Sequence, residues 1–148
     1  MSSENMQNFR RQALGLLARA PAARLAQLMP ADPAHEVLRA PEIGTVMLRG
    51  RAGGTGAAFN LGEIVVTRAS IRLADSGTVG HGYVQGRDRD HARRAALADA
   101  MAQEEPERIE AEILAPLRAE ETARRDLAAA EAARTRVEFF TLVRGEDE

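Results

Sequence analysis

An α+β fold, with an antiparallel meander sheet of three to four strands flanked by N-terminal and C-terminal helices, is predicted by three features of the 148-residue sequence. Apolar residues recur at three- and four-residue steps at both ends of the chain. The middle is rich in residues that suit strands. Short turn-forming stretches join the middle runs, which favours antiparallel pairing. The chain reads as one domain, residues 1–148. Within it lie helices over 1–30, a sheet with a glycine-rich loop over 35–87, helices over 88–136 and an apolar run over 137–148.

From Asn5 onward, Met6, Phe9, Ala13, Leu16, Leu17 and Ala20 mark a helix with one buried face. Pro21 suits the first position of a second short helix, and Pro30 and Asp32-Pro33 close it. Strands are expected at Thr45-Val46-Met47-Leu48, at Ile64-Val65-Val66-Thr67 and at Ile71-Arg72-Leu73. Asp75-Ser76-Gly77 supplies a turn into a further run, Thr78 to Gln85. Asp88 or Asp90 is placed to cap a helix carrying His91, Ala95, Ala98 and Met101. Glu104-Glu105-Pro106-Glu107 breaks that helix and starts another with Ile109, Ile113, Leu114 and Leu117 as its stripe. Pro116 should kink or divide it. A charged, alanine-rich helix follows over Glu120 to Arg136. The terminal run Val137-Glu138-Phe139-Phe140-Thr141-Leu142-Val143 is expected to add a strand or to dock on a partner.

Composition excludes several classes. A net charge of −2 gives no broad drive toward nucleic acid or an anionic membrane. The absence of cysteine removes disulfides, thiol nucleophiles, iron–sulfur ligation and cysteine-based zinc sites. Charges interrupt the N-terminal residues where a signal peptide needs an apolar run, and no stretch approaches the ~20 apolar residues of a membrane span. A soluble, cytoplasmic protein is expected, with no cofactor and no metal held by this chain.

The most unusual segment is Arg49-Gly50-Arg51-Ala52-Gly53-Gly54-Thr55-Gly56, with four glycines in the seven residues from Gly50. Exposed amides in such a loop, preceded by arginines, form a concavity suited to phosphate or phosphonate. A plain connector between strands fits the same composition. Ala57 follows where a Walker A loop needs lysine, and the loop leads into strand rather than helix, so it is not a dinucleotide fingerprint either. His81, on a strand, and His91, on a helix, lie near Asp88 and Asp90 but lack metal-ligand spacing. Their expected roles are a strand-end polar residue and a partner of a capping group or the sheet. Arg68 and Arg72 share a strand face, suited to an anion, an acidic neighbour or a surface salt bridge. No serine–histidine–acid triad follows from spacing.

Three blocks occur in order: Arg51-Ala52-Gly53-Gly54-Thr55-Gly56 with Leu61-Gly62-Glu63 and Thr67-Arg68; Gly80-His81-Gly82-Tyr83-Val84-Gln85-Gly86-Arg87-Asp88 with His91; and Val137 to Gly145. Together they resemble the G subunit of the carbon–phosphorus lyase system, from the first helix to the last residues. The resemblance implies work with the H, I and L subunits, displacing adenine from ATP by a phosphonate to give a ribose 1-phosphonate 5-triphosphate. It implies the J and K subunits as further partners, with radical cleavage of the carbon–phosphorus bond carried by J. ATP and phosphonate would then meet at a shared site, and homo-oligomerisation of the isolated chain stays open. Candidates for ligand or subunit contact are Arg51, Gly53, Gly54, Thr55, Gly56, Arg68, His81, Arg87 and His91; no catalytic residue is assigned. The alternative is a structural subunit with no ligand contact.

Overall fold

The computed structural model describes residues 2–144, with side chains described through residue 136. Helix α1 (Ser3–Arg19) begins at Ser2, whose hydroxyl accepts from the Asn5 amide, and buries Ala13, Leu16 and Leu17. Helix α2 (Ala22–Leu28) follows, with Pro21 at its cap rather than its first helical position. The expected meander is present with three strands: β1 (His35–Arg51), β2 (Ala58–Leu73) and β3 (Val79–Gln85), antiparallel in the order β1-β2-β3. The runs Ile64–Thr67 and Ile71–Leu73 lie on one continuous strand, which puts Arg68 and Arg72 on a shared strand face as expected.

Alternation along β2 and β3 sorts the sheet into two faces. Thr67, Ala69, Ile71 and Leu73 of β2, with Gly80, Gly82 and Val84 of β3, are buried on one face. Helix α3 (Arg89–Glu104) lies on that face and is capped by the Asp88 carboxylate, which accepts from the His91 amide at 3.0 Å. The packing is unusually close. A Cβ on Gly80 would stand 2.0 Å from the Ala96 carbonyl oxygen, and one on Gly82 would stand 2.0 Å from that of Ala92. Glycines on the strand therefore face the Ala92, Ala96 and Ala100 row of α3, spaced so that each lies one helical turn beyond the last. This is how an alanine-rich chain with few rings builds a dense core.

Leu17 and Leu25 close the core from one side, and Leu97, Ile109, Leu114 and Leu117 fill it. Short helix α4 (Pro106–Ile109) runs through a π turn (Glu110–Leu114) into α5 (Ala115–Arg144). Pro116 thus divides the helical run, as expected, but through a widened turn just upstream. Proline donates no hydrogen bond and its ring crowds the carbonyl four residues back, and a widened turn relieves that crowding. The terminal apolar run does not add a strand: α5 continues through Arg144. Whether its side chains dock lies outside the described residues. Among the described residues no helix is long and apolar enough to cross a membrane.

Candidate functional site

β1 and β2 are paired from His35 with Leu73 out to Arg51 with Ala58, whereas β3 pairs only the Val66–Arg72 part of β2. Beyond that part the two strands continue alone as an arm. The glycine-rich segment is its tip, a single 3-10 turn over Ala52–Gly54. Gly53 and Gly54 have φ values of 60° and 77°, which a side chain would strain. The amides of Thr55 and Gly56 both bond the Ala52 carbonyl. Half of the Gly53–Gly56 amides expected to cradle an anion are therefore spent inside the turn. Arg51 is exposed and makes no ion pair among the described residues.

Arg68 and His81 share the open face of the sheet. Their strands place Arg68 opposite Tyr83 and Ser70 opposite His81. Arg68 bonds Glu42 at 3.0 Å, and Arg72 bonds Glu36 at 3.3 Å, so the arginine pair takes the salt-bridge outcome. The Arg68 guanidinium, with Arg39 adding to it, holds the Glu42 carboxyl below the usual carboxylate range. A groove at the root of the arm is lined by Glu42, Ile43, Gly44, Thr45, Val66, Arg68 and Tyr83.

His81 sits in the middle of β3, not at a strand end, and its Nδ1 lies 2.8 Å from the Ser70 hydroxyl. This juxtaposition escapes sequence spacing because the pair is 11 residues apart on two strands. The nearest buried carboxylate does not complete a triad. Asp99 Oδ2 accepts from the His81 backbone amide at 2.8 Å, from the helix-covered side of the sheet, so it does not orient the ring. Ser70 also lies mid-strand, where its neighbouring amides serve the sheet and form no oxyanion hole.

Asp99 is the residue that sequence reasoning missed. It is 1% exposed, and Arg10 grips it with Nε and Nη2, each at 2.9 Å. One carboxylate thus ties α1, α3 and β3 together. A lone acid within the alanines of α3 was the available signal.

His91 is 3% exposed in the core, on the opposite side of the sheet from His81. Its Nε2 donates to the Leu17 carbonyl at 3.0 Å, filling one of the vacant acceptors at the end of α1. Burial pushes its pKa below the ordinary 6.5 against the opposing effect of that bond. Its side chain is itself the cap at the end of α1, while its backbone amide bonds the capping carboxylate of Asp88. Arg87 is exposed in the connection after Gly86, whose amide bonds the Val65 carbonyl at the root of the arm. The nine candidates therefore occupy the arm tip, the open sheet face, the arm root and the core. No group of three or more metal-ligating side chains occurs among the described residues.

The family model of phosphonate metabolism protein PhnG matches residues 8–145 of the chain. The chain is also similar to the alpha-D-ribose 1-methylphosphonate 5-triphosphate synthase subunit PhnG of Rhizobium meliloti (strain 1021). The two are 47% identical over 146 residues, covering 93% of this chain and 90% of that protein.

Proposed function

The chain belongs to the phosphonate metabolism protein PhnG family, and from that premise we propose that it is a subunit of a phosphonate-ribosylating synthase that organises the assembly. In this reading it works with H, I and L subunits, which displace adenine from ATP by a phosphonate and form a ribose 1-phosphonate 5-triphosphate. The observation that carries the organising role is where the family-marking residues stand. Arg51 to Gly56 cap an exposed arm, Arg68 and His81 lie on an open face, and His91 serves the core. Surfaces of this kind meet other chains, whereas a self-sufficient active site gathers its groups in one cleft.

Reconstitution tests this. H, I and L subunits with ATP and methylphosphonate should release adenine only when this chain is added, and Arg51→Ala should lower recovery of the assembly. Unchanged adenine release without the chain would sink the subunit reading.

A second reading has its own observation. The groove holding Arg68 and Tyr83, beside the Ser70–His81 pair, suits contact with a phosphonate or triphosphate oxygen at a shared site. Arg68→Ala or His81→Ala would then leave the assembly intact and cut adenine release at least ~10-fold, a loss of about 1.4 kcal/mol of transition-state stabilisation.

A further inference from the structure

A two-stranded hairpin is marginal in water without a covering layer, yet here β1 and β2 run past β3 from the Thr45–Val65 pair to Arg51 and Ala58. Register and alternation give this arm two unlike faces. Val46 pairs with Ile64, Leu48 with Gly62 and Gly50 with Phe59, so these residues share one face. Leu61, the extra residue where the register shifts, folds onto that face: a Cβ on Gly50 would meet its Cδ1 at 2.6 Å. The strip therefore consists of Val46, Leu48, Phe59, Leu61 and Ile64, interrupted by glycine and free of charge. Leu48, Phe59 and Leu61 are 42%, 46% and 62% exposed. The reverse face carries Met47, Arg49, Arg51, Asn60 and Glu63. The arm is amphipathic, and both of its edges are unpaired among the described residues.

We propose that this arm inserts into an apolar groove of a different protein chain, with carboxylates at the groove's end meeting Arg49 and Arg51. The proposal rests on the subunit reading above and names the element that makes the contact.

Two observations favour a different chain over a second copy. Stacking two arms covers a width of about 10 Å over about eight residues at ~3.3 Å each, roughly 250–300 Å². That is under half of the ~800 Å² per partner that a stable interface uses. A groove that takes the apolar face together with both unpaired edges and the tip, leaving Met47 and Asn60 to solvent, covers more than a second arm can. Grooves on this chain's own body, among the described residues, present Arg11, Arg19, Arg118 and Glu121, or Glu107, Glu110 and Arg118. Arg19 is paired there with Glu121 and Arg118 with Glu110, and an uncharged apolar strip laid over these ion pairs would take them out of water without giving them a new partner. The tip has the opposite need: Arg49 and Arg51 outnumber Glu63, so acidic groups on the partner complement it.

The test is coexpression of the full chain with the H, I and L subunits, purified through a tag on this chain. Leu48→Lys and Ile64→Lys alter the apolar strip; Met47→Lys and Asn60→Lys alter the reverse face as controls. The strip variants should lose copurified subunits at least ~10-fold while keeping the parent's circular dichroism and Tm; the controls should retain them. Arg49→Glu with Arg51→Glu should weaken capture, and raised salt should weaken the parent's capture too. Strip variants that capture partners as well as the parent overturn the arm and leave the subunit reading standing. A parent that captures none of the subunits overturns both. A parent that sediments alone as a dimer, which the strip variants split without loss of the other subunits, overturns the choice of partner.

Discussion

Gly80 and Gly82 set the distance between β3 and α3, because a methyl group at either would collide with helix backbone that has no room to move. Gly82→Ala should cost about 3 kcal/mol or more, or abolish folding. Gly44→Ala, with nothing within 4 Å, should cost little, and denaturant melts of the two will show the contrast. Asp99 carries a comparable load. Asp99→Ala removes the partner of Arg10 and orphans the His81 amide, an expected loss of about 3 kcal/mol. Asp99→Asn keeps an acceptor for that amide and should lose less. His91 links stability to pH. Its folded pKa is depressed, so below 6.5 the unfolded chain binds more protons and stability falls as pH falls. His91→Gln keeps an amide donor for Leu17 without titrating. Its Tm should therefore vary less than the parent's between pH 7 and about pH 5.

Among the elements, the arm is separable from the body. Residues 46–64 are exposed or half-buried and belong to none of the core. Replacing them with Asn-Gly, so that the Thr45–Val65 pair flanks a two-residue turn, should change folding stability by no more than about 1 kcal/mol. A chemical melt of the shortened chain checks this, and a large loss would show that the arm supports the sheet. Most elements were legible locally. The Asp88 cap, the Pro106 restart and the Asp75-Ser76-Gly77 turn all depend on residues within a few positions of one another. The length of β1 and β2 was not. Proline and glycine in β1 lower its strand propensity, and only pairing with β2, with register shifts around Arg39, carries the strand through them. The strand alternative for the terminal run fails for a related reason. Two adjacent phenylalanines suit a strand in isolation, but the helix preceding them propagates through Arg144.

At the scale of the whole molecule, the chain is an alanine-packed body from which the arm and the C-terminal helix extend. Leu117 is the last buried residue described before a helical stretch that is almost wholly exposed as far as residue 136. If the molecule works as one part of a larger synthase, the complete assembly should be harder to melt than the isolated chain. Stabilisation by bound partners should rise with their concentration, which scanning calorimetry of the mixture can follow.

By itself the sequence determined the class of fold, the family, and the caps and turns at Asp88, Pro106 and Asp75-Ser76-Gly77. Each of these rests on local periodicity, capping residues or ordered motifs. Tertiary structure alone decided what the candidate residues do. It put Ser70 beside His81 across two strands, turned Asp99 to the far side of that pair, and sank His91 beneath the sheet to cap α1. It also revealed that the glycine-rich segment is the tip of an amphipathic arm. Contacts between strands, and the face on which a side chain emerges, depend on register, and register is settled only when the whole chain packs.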